Sequence, residues 1–200
     1  KAQQRTTSAH GGANAIPEDR ILDVAYDLML AVGLKRMTMA DLARRGGISR
    51  ATLYRRWSNV DEVVGTLLTR ELDAAAAASF DSPATTARAR LVEGIVRIAA
   101  RVRAHPLLRK IVELDPEFLM PYLLERRGAT TDHQLGLIEA ALSVDADDPS
   151  LRAGDPRALA EGVLLATWSF VLTGPVLTGV EDADRLDAQL YDLLDRYLAP

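Results

Sequence analysis

The twenty residues from Thr38 to Trp57, TMADLARRGGISRATLYRRW, constrain the fold of this chain more than any other stretch. They spell two short helices joined by a glycine turn. Thr38 is placed to cap the first helix, and Asp41, three residues on, gives a partial capping box and a negative charge near the positive helix end. Leu42 and Ala43 then point inward, and Ala43 is small enough for another helix to pass closely. Gly47 supplies the left-handed backbone conformation that a sharp inter-helix turn needs, and Ile48 plugs the turn. Ser49 is positioned to cap the second helix. Leu53 and Trp57 anchor that helix at helical spacing, which leaves Arg50, Ala51, Thr52, Tyr54, Arg55 and Arg56 for the exterior.

The chemistry of that exterior suits a DNA major groove. Arginine carries a planar fork that pairs bidentately with guanine or clamps phosphate, hydroxyls reach phosphate oxygens, and a small residue such as Ala51 permits close approach to bases. The candidate DNA contacts are Thr38, Arg44, Arg45, Ser49, Arg50, Ala51, Thr52, Tyr54, Arg55 and Arg56. A solvated basic helix face is the competing reading, as for most charge runs. Against it stands the coincidence of cap, small residue, turn glycine, apolar plug and basic face in one short window.

From Arg20 to about Leu72, including GISRATLYRRW and the following SNVDEVVGTLL, the chain resembles the N-terminal DNA-binding domain of the TetR family of transcriptional regulators. The resemblance implies an all-α fold, with a three-helix helix-turn-helix domain and a C-terminal helical domain for ligand binding and dimerisation. The expected division is an N-terminal arm over 1–16, a DNA-binding domain over 17–60 and an effector and dimer domain over 61–200. The implied function is a regulator, in most relatives a repressor, that holds a near-palindromic operator in double-stranded DNA as a homodimer and is released by a small molecule. A regulator controlled by a protein partner, or without an effector, fits the same DNA-binding end. Many relatives hold a phosphate with a lysine at the start of the fourth helix. This chain has Val60 there, so that contact is expected to be absent or moved.

Charge divides along the chain in the sense this reading requires. Residues 1–60 carry ten Lys or Arg against five Asp or Glu, net +5, and residues 61–200 carry fourteen against twenty-three, net −9, together −4. A basic end and an acidic remainder favour binding DNA through one end only, although solubility alone would also account for the acidic part. Cysteine is absent, which excludes disulfides, thiolate nucleophiles and cysteine metal sites. A cytoplasmic setting is therefore the default expectation. The first fifteen residues have no apolar core that would mark a signal peptide, and they read as a flexible arm whose Lys1 and Arg5 are available to a neighbouring groove. The uncharged run from Gly162 to Val180 nears membrane-spanning length, but Gly174 and Pro175 interrupt it and no basic cluster flanks it.

The rest of the chain reads as helices. The first has Ile21, Ala25, Leu28, Met29 and Val32 on one stripe and ends at Gly33 and Leu34. Asn59 and Glu62 look like a capping pair for a long helix over 61–80, and further helices are expected near 86–104, 106–114, 116–125, 130–142, 155–173 and 182–198. Leu186, Leu190, Leu193 and Tyr197 recur at helical spacing, and Ala158, Gly162 and Ala166 give the preceding helix a small-residue stripe. From periodicity alone these stripes fit a monomer core as well as a dimer; the TetR-like resemblance favours the dimer.

The same resemblance implies a pocket for a hydrophobic small-molecule effector, with Phe118, Tyr122, Leu164, Trp168 and Val171 as candidate lining and Glu113 and His133 as polar partners. Ordinary core packing is the alternative for each. A small helical enzyme is the remaining alternative, and no residue pattern supports it. His10, His105 and His133 lie at no ligand spacing, no catalytic motif is present, and the Asp145, Asp147, Asp148 cluster fails as a calcium loop because Pro149 stands at a ligand position. No metal or cofactor is expected.

Overall fold

The computed structural model describes residues 18–125, 127–145, 147–179 and 182–200. The expected arm over 1–16, with Lys1 and Arg5, lies outside the described residues. All regular structure among the described residues is helical. The helices are α1 (Glu18–Val32), α2 (Met39–Gly46), α3 (Arg50–Arg56), α4 (Val60–Ala77), α5 (Ala87–Ala104), α6 (Pro106–Leu114), α7 (Met120–Leu124), α8 (Ala129–Val144), α9 (Pro156–Leu172), α10 (Gly174–Thr178) and α11 (Ala183–Leu198), with a 3-10 turn at Pro116–Phe118 before α7.

Local chemistry sets most of the boundaries. α1 ends where Gly33 adopts φ 78°, and α2 ends where Gly47 adopts φ 67°, a region that L side chains rarely enter. Thr38, Ser49, Asn59, Thr86 and Asp155 each accept a hydrogen bond from a first-turn amide of the helix they precede. The Glu62 carboxylate reaches back to the Ser58 amide at 2.8 Å, so the cap of α4 is reciprocal.

Two apolar cores organise these helices. The first gathers α1 to α4 around Leu42, Leu53 and Leu67, and it includes Leu107 and Ile111 of α6. The core of the N-terminal unit thus runs past residue 60, through α4 and into α6. The second core joins α5, α8, α9 and α11, with Leu91, Leu135, Val163 and Leu194 at its contacts. Between the cores, α4 meets α8 through the Thr69 and Thr130 hydroxyls, 2.8 Å apart, and through His133 Nε2, 2.6 Å from Asp73 Oδ1.

Three segments depart from expectation. The helix expected over 116–125 breaks into the 3-10 turn and α7, because Pro121 has no amide to bond backwards and its ring would clash with the preceding turn. α4 stops at Ala77 rather than Phe80, and Phe80 folds over Gly94, where a Cβ would overlap its ring. After α9, the chain makes one further turn as α10. No described helix is long and apolar enough to cross a membrane.

The stripe on α11 is also redirected. Leu186, Leu190, Leu194 and Leu198 face the protomer's own core, at steps of four. Leu186 and Leu190 are therefore core residues rather than surface residues, because the buried side continues through Leu194 and turns Leu193 outward. Tyr197 is half-buried across Gly162, where a Cβ would overlap its hydroxyl, and Ala166 packs against the same core. Of the expected interface set, Ala158 and Leu193 remain exposed.

Candidate nucleic-acid interface and effector cleft

The α2–turn–α3 unit is built so that its apolar side is consumed and its basic side is left free. Leu42, Ala43, Leu53 and Trp57 are buried, and Trp57 Nε1 donates to Thr66 Oγ1 of α4 at 2.9 Å, which anchors the end of α3. Arg50, Ala51, Tyr54, Arg55 and Arg56 all face solvent, and Thr52 is half-buried. Arg45, Arg50, Arg55 and Arg56 take part in no ion pair among the described residues. Their charge is thus available to an external anion. Exposed arginines spend little energy in that state, since both water and phosphate satisfy the fork.

The other expected contacts are partly occupied by local structure. The Thr38 hydroxyl accepts the Asp41 amide at 3.1 Å and donates to Asp41 Oδ2 at 2.7 Å, while Arg44 Nη2 bonds Asp41 Oδ1 at 2.9 Å. The Thr38 hydroxyl, and then the Arg44 guanidinium, hold the Asp41 carboxyl below its ordinary value. Ser49 accepts the Thr52 amide at 3.1 Å, and the two hydroxyls lie 2.9 Å apart. Ser58 likewise holds the Glu62 carboxyl low through its hydroxyl and its amide. Val60, where a lysine would stand in many relatives, packs against the first core.

A second concave feature lies between α4, α8 and α9. It is a cleft of about 1270 Å³, lined by Phe118, Tyr122, Leu164 and Trp168 among other apolar side chains. Glu113, His133 and Val171 are not part of it. Glu113 lies exposed on α6, His133 pairs with Asp73 at the exposed surface, and Val171 is sealed in the second core, at the edge of the face of α9 that Glu161, Leu165, Trp168 and Leu172 turn to the cleft.

Polar groups that sequence reasoning did not select line the cleft instead. Gln134 Oε1 accepts Trp168 Nε1 at 3.0 Å, and Thr130 stands one turn earlier on the same helix. Glu71 Oε2 lies 3.3 Å from His105 Nε2, while Glu71 Oε1 accepts two bonds from Arg70. The i, i+4 spacing of Thr130 and Gln134 on one helix was the available signal for the first pair. Nothing local marks the second, since Glu71 and His105 meet only when α4 packs against α5 and its junction with α6.

Two short capped helices, a left-handed glycine turn and an unpaired arginine face define a helix-turn-helix DNA-binding protein. The comparisons agree. Residues 21–66 match the family model described as bacterial regulatory proteins, tetR family. Uncharacterised HTH-type transcriptional regulators of Mycobacterium bovis and Mycobacterium tuberculosis are each 32% identical over 180 residues, which cover 90% of this chain and 93% of theirs. Among solved structures, the transcriptional repressor QsdR of R. erythropolis superposes with TM-score 0.70 at 24% identity, covering 90% of this chain and 93% of that one. AlkX of Dietzia sp., a TetR family repressor implicated in biodegradation of n-alkanes, superposes with TM-score 0.68 at 23% identity, covering 93% and 97%.

The chain belongs to the TetR family of bacterial transcriptional regulators. It is a DNA-binding regulator rather than an enzyme, and regulators of this family bind DNA and act as dimers.

Proposed function

We propose that this regulator represses transcription by holding a near-palindromic operator as a homodimer, and that an elongated, largely apolar effector releases it. The observation that carries the DNA part is the row of exposed, unpaired Arg50, Arg55 and Arg56 on a short helix capped at Ser49 and pinned at Trp57. A two-fold dimer offers two such helices to half-sites roughly 34 to 36 Å apart.

An exposed apolar band supports the dimer. Val176 and Leu177 on α10 are 83% and 84% exposed, and Leu193 on α11 is 46% exposed. Large apolar side chains left exposed on two consecutive helices are unusual for a monomer surface and suit a second copy of the chain. The cleft supports the effector. Its apolar walls favour a hydrocarbon body, and the Gln134 amide beside Trp168 offers hydrogen-bond donors to an ester, lactone or alcohol oxygen. An uncharged oxygen suits it better than a carboxylate, because Arg70 is already surrounded by Asp19, Asp23 and Glu71.

Selection of bound fragments from genomic DNA tests the first part. Two-fold symmetric half-sites about one helical turn apart are expected, and a pool with no enriched sequence would defeat the assignment. Thermal melting with dodecan-1-ol, dodecanoate and dodecyltrimethylammonium tests the second. The neutral probe should raise the melting point most, and no shift with any of the three removes the apolar-effector reading.

A further inference from the structure

We infer that Asp115 is a positioning residue that couples the effector cleft to the reading head; this rests on the regulatory function proposed above. Asp115, Ser79 and Thr167 are the buried polar residues among those described, and Asp115 is 4% exposed. Ser79 and Thr167 spend their hydroxyls inside their own helices, on Ala75 O and Val163 O. Asp115 instead reaches across the molecule. Its Oδ2 accepts the Leu34 amide at 2.8 Å and its Oδ1 accepts the Lys35 amide at 3.4 Å, in the turn that leads from α1 into α2. Burying a carboxylate is costly unless donors surround it, so this placement is a specific clasp.

The turn is shaped to receive it. Gly33, at φ 78°, leaves open a space in which a Cβ would stand 3.1 Å from Asp115 Oδ2. Outside the clasp, Lys35 Nζ pairs with Glu117 Oε1 at 2.5 Å, so both residues flanking Pro116 grip the same turn. The reading head is therefore joined to the body covalently through α4, by the apolar contact of Leu107 and Ile111 with its core, and by the polar grip of residues 115–117.

The other end of this segment lies in the cleft. The Phe118 amide donates to Asp115 O at 3.0 Å, which closes the 3-10 turn, and the Phe118 ring packs 5.6 Å from that of Tyr122. Both rings line the effector cleft on one side and a smaller hollow of about 410 Å³ on the other, where Leu34, Met37 and Val60 face them. Bulk that displaces Phe118 or Tyr122 moves the turn, and the hollow gives it room. The clasp then loosens and the head changes its angle to the body.

A double-mutant cycle at the full chain tests this. Gly65 of α4 lines the cleft, and a Cβ there meets nothing within 4 Å, so Gly65→Phe fills the cleft in place of a ligand. Operator affinity should fall about tenfold in Gly65→Phe, and the same substitution should have almost no effect in Asp115→Ala, whose polar clasp is already open. The chain lacks cysteine, so one spin label at Arg36→Cys in each protomer reports the spacing of the heads. Asp115→Ala should broaden that spacing, and Asp115→Asn, which keeps an oxygen for the Leu34 amide, should restore a narrow one. Ile111→Val, which trims the same contact without touching the carboxylate, should leave it narrow. Additive losses in the cycle, or equal spacing widths in Asp115→Ala and the parent, overturn the coupling while leaving the effector function intact. A silent Gly65→Phe in the parent overturns both. If Asp115→Ala does not fold, the cycle is read in Asp115→Ser, whose shorter side chain falls short of the Leu34 amide, and a full additive loss there is again the contrary result.

Discussion

The reading head and the cleft wall are held in shape by opposite means. In the head, the residue before each of three successive helices satisfies a backbone amide: Thr38 for α2, Ser49 for α3, Asn59 for α4. The exposed side of α3 is left to Arg50, Arg55 and Arg56, which join no ion pair among the described residues. Across the body, the 3-10 turn and α7 have no side-chain caps, two prolines interrupt them, and Met120, Leu123 and Leu124 stay exposed. The head is rigid by local chemistry, whereas the wall holds its shape through partners distant in sequence. A rigid reader beside a wall of short, interrupted pieces is the arrangement a switch needs, since only the second can rearrange at small cost.

That contrast can be broken first by core truncation. Leu53→Ala, at a fully buried position, should destabilise the chain by about 2 to 5 kcal/mol, while Leu123→Ala, at the exposed wall, should leave the melting point nearly unchanged. Comparable losses at both would erase the distinction. The two leucines of the distal helices should separate in the same way. Leu190→Asp places a charge in the second core and should unfold the body, whereas Leu177→Asp should keep the fold and split the dimer, as read by light scattering.

Smaller effects probe the head alone. Arg50→Ala and Arg55→Ala should each weaken operator binding by about 1 to 3 kcal/mol with an unchanged melting point, and a residue that holds phosphate should lower the salt slope by about one. Thr38→Ala should cost about 1 kcal/mol of stability through loss of the α2 cap. The smallest effect is acid sensitivity. Asp41 and Glu62 are held below their ordinary values by their hydroxyl partners, so the stability they add is present above about pH 4 and lost as the pH falls through their folded values. Circular dichroism of the head should therefore be flat from pH 5 to 8 and decline below about pH 4. Substituting Thr38 and Ser58 with alanine should remove the partners and reduce the decline.

What was legible in the sequence follows the same division. The α2 and α3 boundaries, the Gly47 turn, the buried Leu53 and Trp57 and the exposed arginines could be read because each depends on residues within four positions. The cleft could be read only in part. Phe118, Tyr122, Leu164 and Trp168 line it, yet Val171, at the edge of the same face of α9, turns into the second core, and no periodicity distinguishes a core face from a cleft face when a helix is apolar nearly all round. His133 is a candidate polar partner for the effector by sequence, but it pairs with Asp73, sixty residues away and outside the helix that carries it. The α11 stripe failed for a simpler reason. From Leu190, steps of three and four reach Leu193 and Tyr197 while steps of four reach Leu194 and Leu198, and only packing against α5, fastened by Arg103 to Asp187 and Arg88 to Asp195, selects the second pair. The Asp115 clasp left no local trace, because a carboxylate and two amides eighty residues apart form no pattern.

Guanine N7 methylation interference on a selected operator tests most directly the claim that α3 lies in the major groove. Methyl groups on N7 project into that groove and not into the minor one. Interference confined to two clusters about one helical turn apart is the predicted result, with the clusters lost in Arg50→Ala. Undisturbed binding to the methylated operator would contradict the placement of the arginine face against base edges.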